Sequence, residues 1–148
     1  MSGLANFPGA RSGIVGGAGG GIGYEVGTWT PAITRTTSNP SQTGTVHKAG
    51  HYVKTGKLVY VEGYYQLNGF SSGVGQWQCS LPFTAASNIH NQSIERNRIY
   101  MDADSTDWYL EVQGGANVVQ LWTLNNYTAY TTNINYLIWY FSVHYLIA

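Results

Sequence analysis

Short runs of alternating apolar and polar residues, separated by turn residues, dominate the chain from Thr28 onward. Alternation at a period of two is typical of β-strands with one buried face, and no window of helical length keeps a 3.6-residue apolar period. The predicted strands are Thr28–Thr34, Thr43–Lys48, Lys57–Leu67, Gln76–Leu81, Ser93–Ala103, Trp108–Gln113, Val118–Leu124 and Tyr136–Ile147. Short strands with turn signals between them indicate a sandwich, jelly roll or barrel. We therefore predict an all-β fold, an antiparallel β-sandwich or jelly-roll-like module.

The last predicted strand is apolar on both of its faces. One face carries Leu137, Trp139, Phe141, Val143, Tyr145 and Ile147, and the other carries Tyr136, Ile138, Tyr140, Ser142, His144 and Leu146. A strand of this kind in so small a domain needs a covering surface on its second side. We expect a homo-oligomer whose interface includes Tyr136, Ile138, Tyr140 and His144.

Glycine is concentrated at the N-terminus, where residues 1–27 hold ten of the nineteen glycines. Such a segment loses much backbone entropy on ordering and has few side chains to bury in return. We therefore divide the chain into an extended arm, residues 1–26, and a β module, residues 27–148. On its own the arm is expected to be flexible, and its natural role is to dock on a larger surface.

Composition narrows the classes of partner. Charged residues make up 9% of the 148 residues and aromatic residues 14%, and seven basic residues balance seven acidic ones. Because the chain has no net charge to attract polyanions, nucleic acid and anionic lipid are poor candidate partners. The longest apolar stretch, Tyr136–Phe141, is too short to span a bilayer. The N-terminus has no basic region followed by an apolar run, so we expect a mature protein made whole in a cytoplasm.

Two stretches partly resemble ligand-binding loops but differ from them at key positions. The run Gly16–Gly23 fits no GxGxxG register and is followed by no lysine in the phosphate-loop position. The acidic stretch Asp102–Asp107 resembles the start of a calcium loop, but Asp107 stands where glycine is needed and Gln113 where glutamate is needed. We interpret it as an acidic turn, and leave open a cation held by Asp102, Asp104 and Asp107.

The remaining reactive side chains do not predict catalysis or a cofactor. His47 and His51 fall in a predicted strand and the turn after it, so we expect no shared face and no zinc site. Cys79, the only cysteine, alternates with Trp77 and Leu81, which predicts a small core residue rather than a nucleophile. The carboxylates show no pairing typical of a glycosidase, although such pairs leave weak traces in sequence. We predict a protein that is not an enzyme and binds no cofactor or metal.

The surplus of aromatic residues leaves a sugar-binding role open. Tyrosine and tryptophan rings offer apolar faces with polar edges, which suit both sugars and protein partners. We expect most of them to fill the core and the subunit interfaces. The candidates for binding a host-surface glycan are Trp108, Tyr109 and Tyr127.

Three ordered motifs resemble the C-terminal β modules of bacteriophage tail-fibre and related virion surface proteins. They are Gly27–Pro31 (GTWTP), His51–Gly63 (HYVKTGKLVYVEG) and Leu81–Ala85 (LPFTA). In that family a GTWTP start leads to a Y-x-K-x-G-x-x-V-x-V-x-G strand and then to an L-P-F-T-A turn. The aromatic strand Ile138–Tyr145 also fits the family's closing strand, so the resemblance covers residues 27–148.

The resemblance implies a trimeric, β-rich virion component on the particle surface, without catalytic residues. Family modules normally end a long chain that has its own anchoring domain, whereas here only residues 1–26 precede the module. We expect the arm to dock on the major capsid or tail protein through Leu4, Phe7, Pro8, Arg11, Ile14 and Val15. A short anchor favours a capsid-decoration or head-fibre protein over a tail-fibre-type module that recognises host polysaccharide. A glycan-degrading enzyme is a third hypothesis, which requires a cleft with paired carboxylates.

Overall fold

The computed structural model describes residues 23–44, 46–71, 73–88, 94–101, 108–123, 128–129, 131 and 133–148. In chain order the strands are β1 (Tyr24–Trp29), β2 (Ile33–Arg35), β3 (Ser41–Gln42), β4 (Val46–Thr55), β5 (Leu58–Asn68), β6 (Phe70–Ser71), β7 (Trp77–Ser80), β8 (Ile94–Met101), β9 (Trp108–Val112), β10 (Val118–Thr123), β11 (Thr128–Ala129) and β12 (Tyr136–Leu146). No helix occurs in these residues, and therefore none that could cross a membrane. The predicted all-β fold is confirmed.

The larger sheet has five strands in the order β1-β4-β5-β12-β8, and every neighbouring pair is antiparallel. Its centre is the long pair β5 and β12, which remains in register from Tyr136 opposite Asn68 to Leu146 opposite Leu58. A bulge near Ser142 and Val143 shifts the pairing of β12 with β8.

The second sheet runs β11-β10-β7-β2, with β9 also paired to β10. Because Val119 of β10 pairs with both Cys79 and Val112, β7 and β9 lie on opposite edges of that strand. The two-residue strands β3 and β6 form a separate ribbon. All these pairs are antiparallel, as an antiparallel β-sandwich requires.

The hydrophobic core lies between the two sheets. Alternate residues of β5 and β12 point into it, and Val59, Val61, Tyr65, Trp139 and Tyr145 are all fully buried. The opposite sheet contributes Ile33, Trp77, Cys79, Leu110, Val112, Val119 and Leu121 to the same core. Burial on this scale, at roughly 1.5–3 kcal/mol for each large side chain, is the main force that holds the sheets together.

One charged side chain, Arg35 at the end of β2, is buried beside this core. Its Nε donates to the carbonyl of Gly75 at 2.9 Å and its Nη1 to Asn133 Oδ1 at 2.6 Å. A third bond runs from Nη2 to the carbonyl of Thr131, and the guanidinium lies 4.7 Å from the ring centre of Trp77. These bonds replace the water that a buried charge loses.

Several predicted strand bounds were wrong. The predicted strand Thr28–Thr34 is two strands, β1 and β2, interrupted at Pro31, which cannot donate a ladder hydrogen bond. The strand predicted over Thr43–Lys48 begins at Val46 and extends to Thr55. The first strand also begins at Tyr24, so residues 24–26, assigned to the arm, belong to the larger sheet.

Candidate functional site

The surface that stands out in this fold is the side of the five-stranded sheet that faces away from the core. Residues paired across neighbouring strands point to the same side of a sheet. We call the outer face the surface formed by Tyr24, Val26, Thr28, His47, Ala49, His51, Val53, Thr55, Leu58, Tyr60, Glu62, Tyr64, Gln66, Asn68, Arg98, Tyr100, Tyr136, Ile138, Tyr140, Ser142, His144 and Leu146. An antiparallel sheet of a soluble monomer normally keeps such a side polar, whereas here aliphatic and tyrosine side chains make up more than half of the residues.

Aromatic side chains are paired along the outer face. The ring centres of Tyr64 and Tyr140 lie 4.5 Å apart, and those of Tyr60 and His144 lie 4.8 Å apart. Tyr100 meets Tyr136 edge to face at 5.8 Å. Each pair joins two neighbouring strands, so ring contacts cross the outer face at three places.

A hollow of about 340 Å³ lies at the centre of the outer face. It is lined by Ala49, His51, Glu62, Gly63, Tyr64, Tyr140, Phe141 and Ser142. The hollow forms because the small side chains of Ala49 and Ser142 lie in rows whose other members, Tyr64, Tyr140 and Glu62, are large. Its volume is at the lower end of the range for ligand pockets, about 300–1,000 Å³.

The polar groups around the hollow are mostly held by their neighbours. The Tyr60 hydroxyl donates to Glu62 Oε1 at 2.7 Å, and the Tyr64 hydroxyl donates to Gln66 Oε1. Burial raises the pKa of Tyr64, and the hydroxyl of Tyr140 raises it further. Ser142 is buried although its side chain is on the outer face. The arrangement can bind apolar surface and a few hydroxyl groups, and it offers a single carboxylate rather than a catalytic pair.

The three family-like motifs meet at one corner of the sandwich. The Tyr52 hydroxyl donates to Glu25 Oε1 at 2.7 Å, and Lys54 Nζ lies 2.9 Å from Glu25 Oε2. Phe83 packs edge to face on Tyr52, with ring centres 4.9 Å apart, and lies 5.3 Å below the Lys54 ammonium. The Tyr52 ring crosses Gly27, where a Cβ would lie 2.5 Å from the ring. We call this group of five residues the motif corner.

Hydrogen bonds set the acid–base properties of the motif corner. The Tyr52 hydroxyl, together with Lys54, lowers the pKa of the Glu25 carboxyl. The same bond raises the pKa of Tyr52. Next to the corner, Trp29 Nε1 donates to the Ser80 carbonyl at 3.2 Å and the Phe83 amide donates to the Tyr145 hydroxyl at 3.3 Å. These hydrogen bonds and ring contacts join the two sheets at this edge of the sandwich.

The residues expected at the oligomer interface all lie on the outer face. Tyr140 is exposed, and Tyr136, Ile138 and His144 are half-buried. Their role in an interface remains a prediction. The alternation of predicted strand Lys57–Leu67 placed Tyr60, Glu62 and Tyr64 on one side, but sequence reasoning did not select them.

Of the predicted glycan-binding residues, Trp108 and Tyr109 are half-buried at the start of β9. Tyr109 stacks on Trp122 with ring centres 6.1 Å apart, and Trp108 packs against the core. Tyr127 lies outside the described residues. The structure does not bring the two described candidates to the hollow, and their sugar-binding role remains a prediction.

The histidine prediction was wrong in its geometry. His47 and His51 both lie on β4, and residues four apart on a strand share a face. Their Cα atoms are about 13 Å apart along the strand, too far for both to bind one ion. Among the residues that the structure describes, no group of three or more His, Cys, Asp or Glu side chains could hold a metal ion.

Of the other predicted positions, Cys79 lies in the core and the rest lie outside the described residues. Cys79 is fully buried with Trp77 and Leu81, which confirms it as a core residue, and burial raises the pKa of its thiol. The acidic residues Asp102, Asp104 and Asp107 lie outside the described residues, as do the arm residues Leu4, Phe7, Pro8, Arg11, Ile14 and Val15.

No family model matches the chain, and no curated protein or solved structure matches it either. The resemblance to phage fibre modules therefore depends on the sequence motifs alone.

Proposed function

We propose that this chain is a non-enzymatic structural protein of a bacteriophage virion, an oligomeric and specifically trimeric module on the particle surface. In this proposal it is docked through its N-terminal arm, as a capsid-decoration or head-fibre protein is. The observation that carries the proposal is the motif corner, where residues of all three family-like motifs pack against one another.

Packing among the motifs supports the resemblance for a physical reason. Gly27, Tyr52 and Phe83 are far apart in sequence, and their likeness to a family would mean little if they were scattered over the fold. Instead, the ring of Tyr52 fills the space over Gly27 and meets Phe83 edge to face. Residues that pack against one another constrain one another, so their joint match supports the resemblance more than three separate matches would.

The outer face supports the oligomeric part of the proposal. Tyr24 is 71% exposed and Tyr100 is 61% exposed, at the two edges of the larger sheet. Monomeric proteins seldom expose apolar patches of more than a few hundred Å². A virion protein present in many neighbouring copies has a partner for such a surface.

The test of the virion proposal is deletion of residues 1–22, which ends one residue before Gly23, whose carbonyl accepts a bond from the Gly56 amide. Phage particles assembled with the truncated protein should lack it, while the purified protein keeps the strand content and oligomeric state of the full chain. The double variant Leu4→Ser/Phe7→Ser should reproduce the loss, and Ser2→Ala/Ser12→Ala should not. Particles that retain the truncated protein at full occupancy would refute arm-mediated docking.

The hollow favours a second candidate function, recognition of host-surface polysaccharide by a tail-fibre-type module. Tyr64 and Tyr140 offer ring faces, and Glu62, His51 and Ser142 offer groups for hydroxyl recognition. Binding of the purified protein to polysaccharide extracted from host cells, lost on Tyr140→Ala, would support it. Absence of binding across susceptible host strains would favour decoration.

A further inference from the structure

We infer that the outer face is the contact surface between copies of this chain, and that an aromatic side chain of the neighbouring copy fills the hollow over Ala49. The inference rests on the oligomeric function proposed above and names its surface and its partner.

Apolar exposure is concentrated on this one face. Of the large hydrophobic side chains exposed in the described part of the chain, all except Val74 belong to it: Tyr24, Val26, Leu58, Tyr100, Tyr140 and Leu146. They extend from the edge strand β1 to the opposite edge strand β8. A partner that covered only the centre would leave both edges in water, so the partner must be a broad surface.

The size of the outer face fits a protein interface. The central strands β5 and β12 are eleven residues each, which gives a length of about 35 Å. Five strands at the usual spacing give a width of about 20 Å, hence an area on the order of 700 Å². A standard stable interface buries about 800 Å² on each partner. A single sugar ring in the hollow would cover only a fraction of this area.

Charge on the outer face is sparse. Glu62 and Arg98 are exposed on it, and the register also pairs Arg96 with Ser142, a position of this face. Such a surface offers no field of the strength that a highly acidic or basic partner needs. In a contact between copies, Glu62 of one copy can face Arg98 of a neighbouring copy.

The centre and the edges of the outer face are complementary in relief, so the centre of one copy can receive an edge of a neighbouring copy, as the head-to-tail contacts of a trimer require. The hollow lies over β4, β5 and β12 at the centre, and exposed tyrosines, Tyr24 on β1 and Tyr100 on β8, stand at the edges. Interfaces are stabilised most by aromatic anchors that enter pockets on the partner. The hollow has aromatic walls, Tyr64 and Tyr140, that suit such an anchor.

The experiment compares two exposed alanines in the full chain, Ala49 in the hollow and Ala32 in the segment between β1 and β2. Sedimentation velocity over a wide concentration range measures the association of the wild type, Ala49→Arg and Ala32→Arg. The arginine side chain would occupy the hollow and exclude the ring of the neighbouring copy, so association should weaken by on the order of a hundredfold or more. Ala32→Arg should associate like the wild type, and far-UV circular dichroism should be unchanged in both.

Tyr100→Arg provides an independent test, because this side chain is 61% exposed and its replacement does not disturb the core. It should weaken association by about tenfold or more, as the loss of an interface anchor does. If both Ala49→Arg and Tyr100→Arg associate like the wild type, the inference is wrong and the oligomeric virion proposal still stands through another surface.

Two further outcomes are informative. A wild-type chain that stays monomeric overturns both the inference and the oligomeric part of the proposed function, and if it also binds host polysaccharide that Ala49→Arg cannot bind, the hollow is a glycan site. A wild-type oligomer that Ala49→Arg dissociates, but that is absent from phage particles, supports the interface and refutes the virion location.

Discussion

The ring of Tyr52 meets the ring of Phe83 edge to face, with ring centres 4.9 Å apart and planes at 90°. Tyr52 lies on β4, whereas Phe83 belongs to the segment that follows β7 in the opposite sheet. The contact therefore joins the two layers at the motif corner. Its polar edge, the Tyr52 hydroxyl, remains available to bind Glu25.

The first prediction concerns the coupling of these two rings. The variants Tyr52→Leu, Phe83→Leu and the double variant form a cycle that isolates the ring contact from the other losses of each substitution. The coupling free energy should be about 0.5–1.5 kcal/mol. Urea unfolding at a fixed protein concentration measures it, since an oligomer's stability depends on concentration. Additive losses would show that the rings stabilise the corner independently.

Gly63 carries the second prediction. A Cβ there would lie 2.4 Å from Cε1 of Phe141, a ring buried between Trp29 and Trp139. Because that ring cannot move freely in the core, Gly63→Ala should lower the free energy of unfolding by about 1–3 kcal/mol. Gly23→Ala is the matched control, since nothing lies within 4 Å of a Cβ at that position. Equal unfolding midpoints for the two variants would contradict the predicted overlap.

The sequence predicts a strand correctly where the strand's own residues show which positions face the core. The alternation of Tyr136–Ile147 gave β12 to within one residue, and the apolar positions Trp77, Cys79 and Leu81 are buried together as expected. In each case the pattern of the strand itself decides which side faces the core.

Elements that depend on distant residues could not be predicted in this way. The predicted strand ended at Lys48, but β4 continues to Thr55, where it pairs with β1 on one side and β5 on the other. The pairs β3–β6 and β10–β11 involve two-residue strands, too short to show any period. Arg35 would be expected at the surface from its charge, yet backbone carbonyls of distant segments hold it inside.

Only part of the candidate site could be predicted from the sequence, for a similar reason. The aromatic second face of β12 predicted a surface that a partner covers, and its residues lie on the outer face. The hollow, however, requires Ala49, Tyr64 and Tyr140 to lie in one row across three strands. That row is fixed by sheet order and register, which long-range pairing decides.

The third prediction follows from the pKa of Glu25, which the Tyr52 hydroxyl and Lys54 lower from 4.5. A carboxyl whose pKa is lower in the folded state than in the unfolded chain stabilises the fold above the unfolded pKa. This contribution is lost as the pH falls from about 4.5 through the folded pKa. Unfolding midpoints measured between neutral and acid pH should therefore converge for the wild type and Glu25→Gln. A constant difference down to the lowest pH would contradict this linkage.

The last prediction concerns Cys79, whose side chain is fully buried and whose thiol pKa is raised by that burial. The thiolate is the reactive form, and here it is both inaccessible and disfavoured. In the native protein Cys79 should react with a chromogenic disulfide reagent at least about a thousandfold more slowly than in urea, because reaction requires opening of the core. The variant Cys79→Ala/Ala32→Cys, with its thiol at an exposed position, should react at once without denaturant. Rapid native reaction of the wild type would mean that β7 opens readily, which the packing of Trp77 and Leu81 beside it argues against.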